Sequence, residues 1–145
     1  MVPQPQAAAR RNVTHGSAIL NAVCIIVAGV VRASLPTTEF TLGWEHSVEK
    51  TRWEERYESD GAKLRLSEAR IQSFGAGMEP PSGARLVGGW WTWRPALEPL
   101  PELRLTRSSY ARDYRVCWSG RCSTLSELAG PAVEGDVAIL RPCAR

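Results

Sequence analysis

The stretch Val48-Glu-Lys-Thr-Arg-Trp-Glu-Glu-Arg-Tyr-Glu58 decides the fold class, because its side chains alternate in character. Trp53, Glu55 and Tyr57 fall on one face of an extended strand, whereas the residues between them are charged. A helix is the competing interpretation, since Glu, Lys and Arg are abundant here, but Trp53 and Tyr57 alone make a poor helical stripe. The alternation therefore favours a β-strand with one apolar face.

Short extended runs separated by turn residues continue in both directions from this strand. The remaining candidate strands are residues 40–44, 63–74, 86–93, 103–105, 114–118 and 136–141. Ser59-Asp60-Gly61 provides a turn, and the glycines and prolines of residues 75–83 require an irregular loop. About seven to eight short strands at this spacing predict an all-β domain, either a small antiparallel β-sandwich or a partly open barrel.

An apolar run near the N-terminus, Ala18-Ile-Leu-Asn-Ala-Val-Cys-Ile-Ile-Val-Ala-Gly-Val-Val31, predicts export. Arg10 and Arg11 precede it, and a positive stretch before about 7–15 apolar residues is the pattern of a secretory signal. We expect an apolar helix that serves either as a cleaved signal peptide or as an anchor in the inner membrane. The predicted organisation is a signal peptide or signal anchor (residues 1–33), a linker (34–38) and an exported β-domain (39–145), periplasmic and attached to the inner membrane through residues 18–31 if uncleaved.

The charge of the exported part argues against a nucleic-acid partner. The whole chain carries 18 Lys and Arg against 15 Asp and Glu, a formal charge of +3. Three of the bases (Arg10, Arg11 and Arg32) and none of the acids precede Ser34, so the remainder carries 15 of each sign, since 18 less 3 is 15. A domain that is neutral overall lacks the basic footprint with which proteins bind nucleic acid.

The segment Cys117-Trp-Ser-Gly-Arg-Cys122 predicts a hairpin closed by a disulfide. A two-residue turn at Ser119-Gly120 pairs the two cysteines at a non-hydrogen-bonded position, where Cα atoms lie about 4.5 Å apart, and a disulfide accepts that distance. Such bonds persist outside the cytoplasm. Cys143 is left over, either as a buried thiol or as a competitor for one of the pair. Two cysteines and His46 are too few ligands for a metal site, and no cofactor is predicted.

The candidate binding residues lie in two polar segments. Glu55 falls on the apolar face of its strand, where a carboxylate needs a partner or its pKa rises. His46 and Ser47 are adjacent on a strand and point to opposite faces, and the chain has no nucleophile elbow, so a hydrolase is the least favoured hypothesis. We predict no catalytic residue. The candidate ligand- or partner-binding residues are His46, Ser47, Glu49, Trp53, Glu55, Gly75, Gly77, Met78 and Glu79.

Three motifs resemble, in matching order, the bacterial family known as domain of unknown function eighteen-fifty. They are Glu45-His-Ser-Val-Glu-Lys-Thr-Arg-Trp-Glu-Glu55, Gly75-Ala-Gly-Met-Glu-Pro-Pro81 and the hairpin between Cys117 and Cys122. The resemblance implies a small exported protein that is an accessory of a TAXI-type TRAP transporter (a tripartite, ATP-independent uptake system), with its permease or solute receptor as partner. It implies no catalytic residues. The alternatives are a free-standing periplasmic domain that binds a small ligand through Glu55, His46 and the tryptophans, and, last, an enzyme.

Overall fold

Antiparallel strands make up most of the molecule. A computed structural model describes residues 20–45, 51–73 and 79–144. The strands in these ranges are β1 (Ala22–Val27), β2 (Val30–Leu35), β3 (Glu39–Glu45), β4 (Arg52–Ser59), β5 (Leu64–Ile71), β6 (Arg85–Val87), β7 (Trp90–Trp93), β8 (Leu103–Arg107), β9 (Arg115–Trp118), β10 (Arg121–Thr124) and β11 (Asp136–Cys143). One short helix, α1 (Leu125–Ala129), follows β10.

The strands form two sheets. A small sheet has the order β2-β1-β11-β8, and a large sheet has the order β10-β9-β3-β4-β5-β7-β6. The two share one buried core, to which the small sheet contributes Val23, Ile25 and Leu140 and the large sheet contributes Phe40 and Val116, among others. The predicted all-β class is confirmed, and neither sheet closes into a barrel.

The predicted N-terminal helix is not seen in the described part of the apolar run. Residues 22–35 instead form the hairpin of β1 and β2, which turns at Ala28 and Gly29, both with positive φ (51° and 77°). Every residue of β1 is buried, and the strand lies between β2 and β11. A strand covered on both faces has the continuous apolar composition of a signal segment, which explains the different expectation from sequence. The folded region therefore includes residues that the sequence analysis assigned to a leader and a linker.

No helix among the described residues is long and apolar enough to span a membrane.

Two disulfides hold the fold, one of them unexpected. The predicted bond between Cys117 and Cys122 is present at directly paired positions of β9 and β10, with Cα atoms 4.0 Å apart. Cys143 is neither a free thiol nor a competitor for that pair, because it is bonded to Cys24 across 119 residues of sequence. This second disulfide joins β1 to β11. The partner of Cys143 was missed because Cys24 lies in the run that was interpreted as a leader.

A β-bulge aligns the apolar face of β5. Leu64 near its start and Ala69 and Ile71 near its end are all buried, although Ala69 comes an odd number of positions after Leu64. In a regular strand these side chains would point to opposite faces. The register against β4 shifts, which leaves Ser67 as an extra residue, and the Ser67 hydroxyl donates to the carbonyl of Arg56 (3.1 Å). The bulge therefore turns both halves of β5 toward the core.

Residues 86–93, predicted as one strand, form the hairpin of β6 and β7. Gly88 and Gly89 both have positive φ (56° and 85°), which permits the tight turn. The hairpin lies at one edge of the large sheet, where Leu86 and Val87 are exposed. The tryptophans of β7 therefore lie near a sheet edge.

Helix α1 fixes the segment that leads into β9. Thr124 caps the helix and forms a capping box with Glu127. The backbone amide of Ser126 donates to the Asp113 carboxylate (3.1 Å), and the amide of Leu125 donates to the carbonyl of Tyr114 (2.8 Å). The approach to β9 is consequently held in one position against the large sheet.

Candidate functional site

The outer face of the large sheet carries an open groove, which we call the outer groove. It has a volume of about 460 Å³. Cross-strand register places Arg115 of β9 opposite Gly43 of β3, and Gly43 opposite Glu54 of β4. The outer groove is lined by Thr41, Gly43, Trp44, Glu45, Arg52, Trp53, Glu54, Arg112, Asp113, Arg115 and Cys117.

Gly43 forms the floor of the outer groove. Its φ is not positive, so the backbone does not require glycine here. A Cβ at this position would lie 3.6 Å from Glu54 Cγ and 3.9 Å from Arg115 Cβ, which are ordinary contact distances. Glycine inside a strand often marks a place where another group approaches the backbone closely. The missing side chain therefore keeps the centre of the groove open.

The acidic groups of the outer groove already have partners. Arg70 donates to Glu54 Oε1 from Nε (2.8 Å) and from a terminal guanidinium nitrogen (2.5 Å). Arg112 Nε lies 3.5 Å from Glu45 Oε1. The third acid, Asp113, accepts the helix amide described above. Each carboxylate is thus neutralised or hydrogen-bonded by the protein itself.

Two of the three arginines that line the outer groove have no acidic partner among the described residues. Arg52 and Arg115 are exposed, and neither guanidinium makes an ion pair or a side-chain hydrogen bond with any residue that the structure describes. Because an exposed guanidinium keeps its charge at every physiological pH, the outer groove offers two fixed positive charges to an incoming anion.

Glu55 lies on the opposite, inner face of the large sheet, as predicted. It is half-buried between Leu42 of β3 and Ala69 of β5. Its Oε1 accepts a hydrogen bond from the Tyr57 hydroxyl (2.8 Å), so its partner is a tyrosine. Burial raises the pKa of Glu55 above its usual 4.5, and the hydrogen bond from Tyr57 opposes that rise. The burial of Tyr114 and its proximity to Glu55 raise the pKa of that phenol too.

The raised pKa of Glu55 predicts a pH-dependent stability. The native state holds the Glu55 proton more tightly than the unfolded chain does. The contribution of Glu55 to the free energy of unfolding is therefore fully present below about pH 4.5 and falls as pH rises through the native pKa of Glu55. We expect Glu55→Gln to remove this loss, because the amide oxygen still accepts from Tyr57 and carries no charge. Urea unfolding at about pH 4 and about pH 8 measures the effect.

Comparing the pH dependence of the free energy of unfolding between Glu55→Gln and wild type isolates the effect of Glu55. Asp60 and Glu127 have lowered pKa values because backbone amides donate to them, and they oppose the trend equally in both proteins. Glu68→Gln, on the outer face of the neighbouring strand, is the matched control. It should keep the wild-type dependence of the free energy of unfolding on pH. An unchanged slope in Glu55→Gln would refute the assignment.

Trp53 belongs to an aromatic cluster of half-buried side chains. It stacks on Trp44 (ring centroids 5.9 Å apart) and meets the edge of Trp93 (6.4 Å). Trp44 in turn contacts Tyr114 edge to face (6.1 Å). Such pairs stabilise a sheet beyond the area that they bury. Packing is therefore the role of Trp53 seen in the structure, and Trp53 and Trp44 also line the outer groove.

The other predicted binding residues are distributed as follows. Glu79 is exposed. His46, Ser47, Glu49, Gly75, Gly77 and Met78 lie outside the described residues.

The two predicted segments adjoin the same end of the central strands β3, β4 and β5 of the large sheet, and we call this end the motif edge. Glu45 and Arg52, which flank residues 46–50, are paired with each other. Ile71, the last residue of β5 before residues 74–78, is paired with Trp53, and the amide of Gln72 donates to the carbonyl of Arg52 (3.1 Å). The described flanks of both segments are therefore neighbours.

Comparisons with known proteins identify a family but no characterised relative. A family model described as a domain of unknown function (DUF1850) matches residues 40–125. The match spans the seven strands of the large sheet together with β8, and β1, β2 and β11 lie outside it. No curated protein and no solved structure matches the chain.

Proposed function

We propose that this chain, which belongs to the family described as a domain of unknown function (DUF1850), is an exported binding domain. We propose further that it is an accessory of a TAXI-type TRAP transporter. Two disulfides are consistent with a place outside the cytoplasm, where thiols are not kept reduced. The proposal involves no catalytic step. Its partner is the permease or the solute receptor of the transporter.

The observation that supports the binding role is that the described flanks of the two polar segments are neighbours at the motif edge. The polar segment after Glu45 and the glycine-rich segment after Ile71 are separated in sequence, yet their described flanks meet through the pairing of Glu45 with Arg52 and the bond from Gln72 to Arg52. Binding residues often lie beside the ends of the strands of a rigid sheet. We therefore propose the motif edge as the docking surface for the transporter.

The proposed exported form retains residues 22–35. Their two strands supply Val23, Ile25, Val27 and Leu35 to the core, so a protein cut before Ser34 would lose three of these four side chains. Attachment to the inner membrane through residues 18–31 is incompatible with the strands that residues 22–27 and 30–35 form, whereas export remains part of the proposal. It requires any cleavage to occur before Ala22.

Co-purification tests the proposal. We expect C-terminally tagged protein, cross-linked in cells that express the cognate transporter, to recover its permease or receptor. Glu79→Arg, a charge reversal in the second motif, should lower recovery at least about tenfold, because it replaces an exposed acidic side chain of the proposed docking surface by a basic one. Glu98→Arg reverses an equally exposed carboxylate between β7 and β8 and should leave recovery unchanged. Recovery of neither transporter component with wild-type protein would refute the proposal.

The alternative of a free-standing ligand binder relied on a pocket that contains Glu55. The outer groove lies on the opposite face of the sheet, and Glu55 does not line it. A ligand site in the outer groove, without Glu55, is therefore a stronger hypothesis than a pocket that contains Glu55.

A further inference from the structure

We infer that the outer groove binds a small organic carboxylate, whose charged group is held by Arg115 and Arg52 over Gly43. The site lies in residues that the sequence analysis did not select, apart from Trp53. It is independent of the proposed transporter partner, since a ligand could occupy the groove in the free protein.

The strand order places the two guanidinium groups on either side of the glycine. Strand β3 runs between β9 and β4, so Arg115 flanks Gly43 on one side and β4 flanks it on the other. Arg52 begins β4 opposite Glu45, two residues along β3 from Gly43 on the same face. A ligand that rests on Gly43 can therefore reach both arginines, which have no acidic partner among the described residues.

The guanidinium group sets the chemistry of the ligand. Its planar array of N–H donors matches the two oxygens of a carboxylate and can bind them in a bidentate manner. Lysine would offer a point charge without this geometry, and the groove is lined by three arginines and no lysine. The same array also fits a phosphate, so the charge of the lining decides between the two anions.

The charge of the lining favours a carboxylate over a phosphate. Arg52, Arg112 and Arg115 are balanced by three carboxylates, Glu45, Glu54 and Asp113. A phosphate of about two negative charges would meet three fixed negative groups at close range. A singly charged carboxylate meets about half of that repulsion and lies between the two arginines that have no acidic partner among the described residues.

The size and shape of the groove limit the ligand to a small molecule. Its volume of about 460 Å³ falls within the usual range for small-molecule sites, about 300–1,000 Å³. The groove extends along β3 toward Thr41 and Cys117, so the body of the ligand has a hydroxyl and the edge of the β9–β10 hairpin as neighbours. Because the groove is open and Arg52 and Arg115 are exposed, we expect a Kd on the order of 0.1 mM.

Titration of the full-length, oxidised protein followed by amide NMR tests the inference. The probes are sodium acetate, benzoate and succinate, with sodium phosphate and sodium chloride as comparison anions at constant ionic strength. We expect saturable shifts of the Gly43, Arg52 and Arg115 amides with at least one carboxylate, and weaker binding of phosphate. The assignment would be overturned if none of the three carboxylates gave a saturable shift, or if phosphate bound more tightly than every carboxylate.

Two variants test the named residues. Arg115→Gln removes one charge from an exposed side chain, and Gly43→Val fills the floor while its Cβ stays at ordinary contact distances. Each should weaken binding at least about tenfold while the thermal midpoint stays near that of wild type. Arg85→Gln is the matched control, because Arg85 is exposed on the same face of the same sheet, opposite Thr92 at the far edge. Equal binding by Arg115→Gln and wild type would contradict the inference. That result would leave open the proposed transporter partner, which the Glu79→Arg experiment tests separately.

Discussion

Deleting residues 1–33 should yield a chain that does not fold, although residues 34–145 contain the whole of the large sheet. The deletion removes β1 and most of β2. Val23, Ile25 and Val27 are buried core side chains of β1. Burial of such side chains contributes about 1.5–3 kcal/mol each, or about 5–9 kcal/mol for the three. That sum is comparable with the whole free energy of unfolding of a small domain, about 5–15 kcal/mol.

Far-UV circular dichroism and urea unfolding measure this effect. The matched control is deletion of residues 1–19, which leaves both strands intact and should keep cooperative unfolding with a similar midpoint. If the chain of residues 34–145 unfolded cooperatively with the midpoint of the full-length protein, β1 would not be part of the native core.

The second large effect is expected from the disulfide between Cys24 and Cys143. The cysteines are 119 residues apart, and in the chain-entropy account a loop of this length stabilises the native state by about 5 kcal/mol. Cys117 and Cys122 are separated by only 5 residues, for which the same account gives about 2 kcal/mol. Replacing both cysteines of the long-range bond by alanine should therefore cost more than replacing both of the hairpin.

Equilibrium unfolding of the two double variants, compared with the wild-type protein with and without reductant, tests this order. The hairpin variant is the natural control, because it also removes one disulfide and two sulfur atoms. Equal losses of stability would show that closure of the long loop does not govern the effect.

Local patterns predicted much of the large sheet. The alternation through Trp53, Glu55 and Tyr57 gave the correct inner face of β4, because each side chain's direction in a strand follows from its position alone. The Cys117–Cys122 hairpin was likewise predictable, since its turn and both partners lie within one short segment.

The small sheet was not predictable in the same way. A fully buried strand has no alternation, so β1 resembled a signal segment, and the partner of Cys143 lies at the other end of the chain. Gly29 inside the apolar run was the available signal, because it occupies the turn between β1 and β2 with positive φ. Helix α1 was missed although Thr124 and Glu127 have the spacing of a capping box.

The outer groove was missed because it is assembled across strands. Gly43, Arg52 and Arg115 come from β3, β4 and β9, and only the strand order makes them neighbours. The charged positions of β4 looked like an ordinary solvated face. Gly43 inside a predicted strand was the one local sign that a group approaches the sheet there.

The account depends most on residues 22–35 being structural strands of the folded domain. Proteolysis of the protein isolated from cells without reduction, followed by mass spectrometry, tests this directly. We predict a linked peptide that contains Cys24 and Cys143, and a mature chain that includes Ala22. A mature chain that begins at Ser34, with Cys143 as a free thiol, would contradict it.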